Sequence, residues 1–521
     1  MSAPNQFPPD DIQARARAAL AFFRDVLADR GLLVHLDEEL RRALLETAGR
    51  VARPDPWQKR EFLREARRQR KEDKRREDER KLSATGIRRQ RRELVFLTPP
   101  PVPPPVAPGA DIDEALRDRV QVPAPATVRD QRNCYVCKVA FTELHPFYDS
   151  MCRTCGDLNY CKRTQTADLR GRGAIVTGAR VKIGYQASIL LLRAGCRVLA
   201  TTRFPHDAAL RYAREPDFAA FADRLQVHGL DLRHTPSVEA FTRHCNATLD
   251  RLDFLINNAC QTVRRPAGFY QHLMAGERQP LAALPPSAQA LLHSHEALRC
   301  GRALPGGHAL PTTAAANGRG LADAAELSQH PLLAEDHDRS ESIFPRGALD
   351  QDLQQVDRRG HNSWRMPLAD VTTIELLEVQ LVNAIAPFVL NARLKPLMLR
   401  VATRDKHIVN VSAMEGQFYR SFKTDKHPHT NMAKAALNML TRTSARDYLR
   451  DGIHMNSVDT GWVTDEDPAE IAARKTAEHG FHPPLDIVDG AARIVDPIFT
   501  GLNTGVHVWG QFLKDYTSTH W

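Results

Sequence analysis

Four cysteines form the residue group with the clearest chemical signature. They stand as two pairs, Cys134-x2-Cys137 and Cys152-x2-Cys155, separated by fourteen residues. Each pair places two thiolates on one tight turn, and four thiolates at this spacing suit tetrahedral Zn²⁺. A site closed by four thiolates leaves no open position for catalysis. The pattern therefore predicts a structural zinc that stabilises a module whose apolar core is too small to fold alone.

A glycine turn between an apolar strand and a helix is the second chemical feature. The stretch Gly173–Arg203 reads as strand, glycine turn, helix and strand, which is one β-α-β unit with a buried parallel strand. Gly178 and Gly184 would let backbone N–H groups at the helix N-terminus approach a pyrophosphate without an intervening Cβ. Because such a turn is weak evidence alone, later residues must support it.

The turn and the later blocks resemble the short-chain dehydrogenase/reductase family over about residues 170–270 and 365–521. The family's T-G-x-x-x-G-x-G motif corresponds to TGARVKIG at 177–184, in which Lys182 replaces the middle glycine and could donate charge to a phosphate. Cys260 replaces the glycine of the family's N-N-A-G block, and Asp459-Thr460-Gly461 stands where the family has Pro-Gly. The resemblance assigns cofactor contacts to Thr177, Gly178, Ile183, Gly184, Asp231, Asn258, Ala259, Lys434, Gly461 and Thr464.

The resemblance also implies a catalytic site for carbonyl and alcohol redox chemistry. Asn383, Ser412 and Lys434 occupy catalytic positions of the family, whose tyrosine proton donor stands four residues before the lysine. Here that residue is Thr430, and an aliphatic hydroxyl is a much poorer acid than a phenol. His429 is a candidate substitute because histidine titrates near neutral pH, as does His427, although His429 lies about 100° round a helix from Thr430.

Two arginines favour NADP(H) as the cofactor over NAD(H). The second strand of the β-α-β unit ends at Thr201-Thr202-Arg203, with no acidic residue to bind a ribose 2′-hydroxyl. Arg203 and Arg180 could pair with a 2′-phosphate instead.

Length and composition predict several modules, since 521 residues exceed one domain of usual size. The predicted fold class is α/β: a doubly wound parallel Rossmann sheet, preceded by a helical N-terminal region and a small four-cysteine zinc module. The predicted divisions are a helical region with a basic helix at 1–97, a Pro-rich linker at 98–130, the zinc module at 131–166 and the Rossmann domain at 168–521. An Ala-, Pro-, Gly- and His-rich insertion at about 275–345 reads as disordered or as a loose lid.

Charge is concentrated in one segment. Trp57–Glu93 carries 16 Lys or Arg and 8 Asp or Glu, a net +8 of the total +9. The segment predicts either a basic helix for nucleic acid or another acidic partner, or a solvated helix held by i,i+4 ion pairs. Mixed charge with little aromatic interleaving favours the second interpretation.

Other features concern compartment and partners. No apolar run reaches the roughly 18 residues that span a bilayer, and the opening residues lack a signal-peptide pattern. The expected location is cytoplasmic, with no membrane partner. There the nine cysteines would stay reduced or bind metal, with His145 and Cys161 as alternative ligands. The substrate is expected to be a small molecule of unknown identity, and the resemblance suggests a homo-oligomer.

Two functional hypotheses follow from these observations. The first is an NADP(H)-dependent oxidoreductase with an altered proton donor, favoured by Asn383, Ser412 and Lys434. The second is an inactive cofactor-binding or regulatory scaffold that recruits a partner through its zinc module and basic helix, favoured by Lys182 and Thr430.

Overall fold

The structure, a computed structural model, describes residues 9–101, 126–300, 322–419 and 423–521. The chain divides into two compact units, Met1–Glu79 and Arg80–Trp521. The first unit is helical, which confirms the predicted helical N-terminal region, and its helices are α1 Pro9–Ala28, α2 Glu38–Ala52 and most of α3 Pro56–Ser83. The Asp37 carboxylate caps α2 by accepting the Leu40 N–H at 2.7 Å.

A small subdomain around the four cysteines opens the second unit. Its elements are α4 Gly86–Gln90, the antiparallel pair β1 Thr127–Asn133 and β2 Ala140–Glu143, and α5 Arg153–Arg163. β1 begins inside the stretch predicted as linker, most of which, 102–125, lies outside the described residues. The domain division of the sequence analysis otherwise stays a prediction.

The end of the basic segment is built into the fold and is not free surface. Arg88 is buried and pairs with the Asp149 carboxylate. Arg91 donates to the Leu485 carbonyl at 2.9 Å. Upstream, α3 carries exposed ion pairs such as Arg68–Glu72 at 3.2 Å, as a solvated helix would.

The rest of the second unit is organised around one eight-stranded sheet. Its strands are β3 Gly173–Thr177, β4 Arg197–Thr202, β5 Leu225–Gly229, β6 Phe254–Asn257, β7 Lys406–Ser412, β8 Ile453–Asp459, β9 Phe512–Lys514 and β10 Thr517–Thr519. Their order is β10-β9-β8-β7-β6-β3-β4-β5, and only the β9–β10 pair is antiparallel. The winding reverses between β3 and β6, where such sheets open a ligand crevice at the carboxyl ends of the strands.

Helices cover both faces of this sheet, as the doubly wound prediction requires. The helices of this region, not all of which lie on the sheet, are α6 Lys182–Arg193, α7 Pro205–Tyr212, α8 Thr235–Thr248, α9 Ala267–Glu277, α10 Pro286–Cys300, α11 Ala324–Leu327, α12 Thr373–Gln380, α13 Ala386–Met398, α14 Pro428–Arg450, α15 Ala469–His479 and α16 Ile487–Thr504. Strand β3 serves both cores: Ala174 and Val176 pack in the cluster containing α6 and α16, and Ile175 packs in the one containing α8, α13 and α14. The predicted α/β fold class is confirmed.

Among the described residues, one helical stretch, Thr373–Met398, is long and apolar enough to cross a membrane by length and composition alone. Its apolar window has a mean hydropathy of 1.5 and is 39% buried. Core helices of folded proteins pass the same test, and α13 within it packs against α8.

The interpretation of 275–345 as disordered or a loose lid is wrong for its described parts, whereas 301–321 lie outside the described residues. Helix α10 packs against β5 and α7, burying Ala288, Leu291 and Leu292 in the core of the sheet. Their helical spacing is hidden by the surrounding Ala, Pro and His, which explains the error.

Helix α10 also completes a group of buried histidines. His295 accepts the Gly229 N–H at 3.2 Å, and its ring centroid lies 5.8 Å from that of His228, which lies 5.5 Å from that of His244. His293, in contrast, is exposed. Within the described chain, neither ring nitrogen of His228 has a hydrogen-bond partner.

Because these histidines are buried, we expect the folded protein to be less stable in acid. Burial lowers the pKa of His244 and of His295 to about 4, and lowers the pKa of His228 well below its ordinary value. The unfolded chain, with histidine pKa values near 6.5, binds more protons. The free energy of unfolding should therefore fall as the pH drops from about 6.5 towards 4, by on the order of 3 kcal/mol for each of His244 and His295.

Denaturant unfolding at pH 7.0 and 4.5 measures this loss. The His295→Gln variant, which keeps an acceptor for Gly229, should show a smaller decrease. Equal decreases in the variant and the wild type would show that His295 does not contribute.

Candidate active site

A cleft of about 1360 Å³ opens at the carboxyl ends of the parallel strands. The residues after β3, β4, β6, β7 and β8 line it, together with α14 and the segment 350–365. Twelve predicted site residues lie on its walls: Gly178, Arg180, Ile183, Gly184, Arg203, Asp231, Asn258, Ala259, Ser412, Lys434, Gly461 and Thr464. Four others, Thr177, Asn383, His429 and Thr430, lie behind the cleft surface formed by the described residues.

The glycine turn after β3 has the close backbone contacts that only glycine permits. A Cβ on Gly184 would lie 2.2 Å from Asn258 Nδ2 and 2.3 Å from the Gly178 carbonyl oxygen. Asn258 Nδ2 donates to the carbonyls of Thr177 and Gly178 at 3.0 and 3.1 Å, and Thr177 Oγ1 accepts the Ala259 N–H at 3.0 Å. Thr177 and Asn258 thus hold the turn in place, leaving a cradle that suits a pyrophosphate at the start of α6.

Lys182 occupies the left-handed region, with a φ of 56°, at the position of the family motif's middle glycine. This conformation is unfavourable for a residue with a Cβ, by roughly 1–2 kcal/mol. Burial disfavours ionisation of Glu466, but the nearby Lys182 ammonium and a hydrogen bond from Thr464 outweigh it and hold the Glu466 pKa below its ordinary value. The backbone at this position thus keeps a conformation that the motif's glycine would adopt, and the Lys182 side chain adds a positive charge to the cradle.

Asp231 forms an ion pair with a neighbouring arginine. Arg233 Nη2 lies 2.6 Å from Asp231 Oδ2, and Arg233 Nε lies 3.0 Å from Oδ1. A third contact joins Arg233 Nη1 to Glu378 Oε1 at 2.9 Å. Burial opposes ionisation of Asp231, but Arg233 outweighs it and lowers the Asp231 pKa. An adenine at this wall would meet an ion pair and not a free carboxylate.

The two arginines predicted to bind a 2′-phosphate differ in their surroundings. Arg180 is buried and pairs with Asp207 at 2.7 Å. Arg203, directly after β4, donates to the Tyr270 hydroxyl, and its guanidinium carbon lies 4.5 Å from the centroid of that ring. Arg203 is therefore the arginine better placed to meet an anion in the cleft.

The predicted catalytic residues take distinct positions. Asn383 lies in a single π-helical turn, Leu381–Ile385, between α12 and α13, a feature frequent at functional sites. Its amide clamps Gln261, accepting the backbone N–H at 2.8 Å and donating to the carbonyl at 3.0 Å. Lys434 Nζ donates to the Val411 carbonyl at 2.8 Å. Ser412 Oγ is buried at the end of β7 and has no hydrogen-bond partner within the described chain.

Neither Thr430 nor His429 reaches the cleft. Thr430 is 1% exposed, and its Oγ1 has no partner in the described residues. His429 Nε2 lies 3.7 Å from Glu375 Oε1, behind the cleft wall. The predicted role of His429 as proton donor thus conflicts with its position, because α14 turns this side chain towards α12.

His427 does line the cleft, but it is a weak candidate acid. Its ring stacks on Trp364, with centroids 3.9 Å apart and planes at 4°. Burial, assisted by His429, lowers the His427 pKa to about 4. The side chain is therefore neutral at pH 7 and has no proton to give as an imidazolium.

The loop after β8 forms the far wall of the cleft. Asp459 is paired in register with Ser412 and forms an ion pair with Lys514 of β9 at 2.8 Å. Gly461 has a φ of 76°, and Thr464 Oγ1 donates to Glu466 at 2.6 Å.

The four cysteines of the two pairs come together as predicted. Their sulfur atoms all lie within 4.8 Å of one another, a spacing that a tetrahedral metal could bridge. Burial disfavours the Cys134 thiolate, but backbone N–H groups of Cys152, Cys137 and Val136 outweigh it and lower the Cys134 pKa to about 7.

The two alternative ligands are placed elsewhere. His145 Nδ1 accepts the N–H groups of Phe147 and Tyr148 at 3.0 and 3.1 Å, and its Nε2 lies 3.3 Å from Asp157. Cys161 is exposed and stands outside the cluster.

Comparisons with known proteins agree with this architecture. The family model described as "short chain dehydrogenase" matches residues 172–273, and the model described as "Enoyl-(Acyl carrier protein) reductase" matches residues 356–483. The uncharacterized protein R665 of Acanthamoeba polyphaga mimivirus is 30% identical over 394 residues, which are 74% of each chain. The chain belongs to the short-chain dehydrogenase/reductase family. The family matches, with relatives such as retinol dehydrogenase 11 of mouse, support an NAD(P)-dependent oxidoreductase.

Other similar proteins match over shorter parts or at lower identity. The bovine dehydrogenase/reductase SDR family member 13 is 38% identical over 112 residues, or 19% of this chain and 27% of that protein. An NADPH-bound carbonyl reductase from chicken fatty liver is 17% identical, with a TM-score of 0.42, and the match covers 69% of this chain and 98% of that one.

Several cleft residues of this family member escaped the sequence analysis. Arg233 stands two residues after Asp231, so an Asp-x-Arg turn was a readable signal. Tyr135 and Lys514 gave none: Tyr135 stands inside the first cysteine pair, which indicated only a metal site, and Lys514 lies far from every motif block.

Proposed function

We propose that the protein is an NADP(H)-dependent oxidoreductase that interconverts a carbonyl and an alcohol in the cleft, with an altered catalytic motif. The observation that carries the proposal is the Ser412 hydroxyl. It is buried at the carboxyl end of β7, in a cleft that Lys434 also lines, with its Oγ lacking a partner in the described chain. Such orphaned polar atoms are rare in folded proteins, and those that occur call for a functional or other specific explanation.

The glycine turn supports the cofactor part of the proposal. A side chain at Gly184 would clash with the Asn258 amide and the Gly178 carbonyl that shape the turn before α6, and Lys182 adds a cation beside it. Gly178, Ile183, Gly184, Asn258 and Ala259 would hold the pyrophosphate end. Lys434, Gly461 and Thr464 would hold the other end, where a bound nicotinamide supplies or accepts hydride.

The protein's own residues would then act on the substrate oxygen. Ser412 Oγ would donate a hydrogen bond to it, and the Lys434 ammonium would favour negative charge nearby. Asn383 would act indirectly by fixing the backbone of Gln261. Thr430 cannot supply the family's phenolic proton, so the proton that completes the alcohol after hydride transfer would come from solvent. His429 and His427 are not proposed as donors, since the first lies behind the wall and the second is neutral at pH 7.

Preference for NADP(H) predicts a specific effect at Arg203. Arg203→Ala should weaken NADPH binding by about 1.5–3 kcal/mol, as expected for a lost hydrogen bond to a charged group, and leave NADH binding unchanged. Calorimetric titration with both cofactors measures this. Arg197→Ala, at the opposite end of β4, is the matched control.

The same titration tests the function itself. A wild type that binds neither NADPH nor NADH would rule out the oxidoreductase proposal, and equal affinities unchanged by Arg203→Ala would rule out the NADP(H) preference.

The four-cysteine cluster is proposed to hold one structural zinc. Four sulfur atoms within 4.8 Å match the ligand number and type of closed zinc sites. No ligand position would remain for substrate.

A non-catalytic scaffold is the second candidate, favoured by the withdrawal of Thr430 from the cleft. It would bind cofactor without turnover and recruit an acidic protein or nucleic acid through the basic segment at 57–93. Under either function we propose a cytoplasmic protein that forms a homo-oligomer. Turnover of any substrate in a broad carbonyl panel separates the enzyme from the scaffold.

A further inference from the structure

The first cysteine knuckle contributes a tyrosine to the wall of the cofactor cleft. Tyr135, between two of the clustered cysteines, lines the cleft together with Lys138. The Tyr135 hydroxyl accepts the backbone N–H of Trp462 at 3.0 Å. A Cβ on Gly461 would lie 3.1 Å from this hydroxyl and 2.4 Å from Leu485. The hydroxyl therefore sits in a gap that the glycine leaves open.

The loop that Tyr135 holds forms much of one cleft wall. Every residue from Gly461 to Ala469 faces the cleft. Tyr135 also lies beneath Lys514, whose Nζ is 5.8 Å from the ring centroid and pairs with Asp459. One side chain thus contacts both the loop after β8 and the cation on β9.

The knuckle itself is fixed from two directions. The Tyr135 N–H donates to the Ser150 carbonyl at 2.8 Å, and the Cys134 N–H donates to the Val139 carbonyl at 2.9 Å. An apolar cluster then runs from the knuckle to the loop, through Cys134, Tyr148, Met151, Val463, Leu485, Ile487 and Val488. The position of Tyr135 therefore depends on how the two cysteine pairs are held together.

We propose that the four-cysteine subdomain is a metal-dependent clamp on the loop 461–469, with Tyr135 as its positioning residue. Metal at the four sulfur atoms holds the two knuckles together and seats the Tyr135 hydroxyl on Trp462. The ordered loop completes the cleft for the dinucleotide. The cofactor part of this inference rests on the proposed function, whereas the ordering of the loop does not.

Hydrogen exchange at the Trp462 amide tests the clamp without any cofactor. Tyr135→Phe keeps the ring and the four cysteines and removes the acceptor. We expect Trp462 to exchange about fivefold faster, as for one lost neutral hydrogen bond, while the protein keeps its zinc. Chelation of zinc from the wild type should raise the exchange rate at least as much, and added Zn²⁺ should restore it.

Tyr160→Phe is the matched control, because this tyrosine lies on α5 of the same subdomain and is 37% exposed. It should leave the exchange rate unchanged. If NADPH binds, Tyr135→Phe should raise its Kd about fivefold, and Tyr160→Phe should not.

Unchanged exchange at Trp462 in Tyr135→Phe overturns the proposal, and so does unchanged exchange in folded, chelated protein. If chelation unfolds the protein, the Cys137→Ser variant, which lacks one exposed ligand, replaces the chelated protein, and unchanged exchange at Trp462 in it overturns the metal dependence. A wild type that binds no dinucleotide refutes the proposed function alone, because the exchange measurement still reports on the loop.

Discussion

Replacing Cys134 and Cys152 with serine is expected to abolish zinc binding and to destabilise the whole four-cysteine subdomain. The wild type should contain about one zinc per chain. Apparent binding free energies of structural zinc reach roughly 10–16 kcal/mol in small peptides, so this is the largest single effect that we expect. The apolar cluster around Cys134, Tyr148 and Met151 should loosen with the metal.

Metal analysis and thermal unfolding of both proteins measure these effects. Cys161→Ser is the control, since Cys161 is exposed and lies outside the cluster, and it should keep full zinc. Equal zinc in the wild type and the double variant would refute the assignment. Loss of zinc in Cys161→Ser would mean that this residue is a ligand.

Thr430→Tyr is expected to raise carbonyl reduction by about 10²–10⁴-fold, the usual contribution of a general acid. The substitution restores a phenol four residues before Lys434, on the same face of α14, and a phenol reaches further from the helix than a threonine hydroxyl. Cofactor affinity should be unchanged. Steady-state rates with a panel of carbonyl substrates, with NADPH as the reductant, measure the gain.

Thr430→Phe separates the effect of the phenolic hydroxyl from the effect of the aromatic ring. It adds the same volume without the hydroxyl, so its activity should stay at the wild-type level. His429→Ala should leave the rate nearly unchanged, because His429 lies behind the cleft wall. A large loss of turnover in His429→Ala, with cofactor affinity unchanged, would instead support His429 as the proton donor. Equal rates in the Tyr and Phe variants would show that the phenol is not the acid.

Local signals explain what the sequence predicted correctly. The strand, glycine turn and helix of 173–193 lie within one short stretch, so their spacing alone indicated a β-α-β unit. Ser412 ends an apolar run that becomes β7. The spacing of the paired cysteines indicates by itself that their four thiols can meet. These features need little knowledge of the rest of the chain.

The features that were missed depend on distant contacts. Helical spacing gave the angle between Thr430 and His429, but it could not say which side of α14 faces the cleft. Helix α10 was hidden by its composition, although its buried positions follow a helical period. The contact between Tyr135 and Trp462 joins residues 327 apart, which no local pattern reveals.

The ion pairs between α5 and the start of α16 affect when the chain can fold during its synthesis. Arg163 is buried and meets the Asp486 carboxylate through two contacts, at 2.5 and 2.7 Å. These residues are 323 positions apart. The Tyr148 hydroxyl similarly donates to Asp489 at 2.5 Å. A chain emerging from the ribosome would therefore carry the cysteine knuckles long before their partner helix exists.

Until α16 is synthesised, the Arg163 guanidinium has no carboxylate partner. Burying an unpaired charge is strongly unfavourable, so Arg163 cannot yet take its buried position. The proposed zinc site would be complete early, but the packing of its subdomain must wait for the last tenth of the chain. Contacts between such distant residues slow folding. Fragments that end before residue 486 should consequently remain incompletely folded and prone to aggregation, even when they contain all four cysteines.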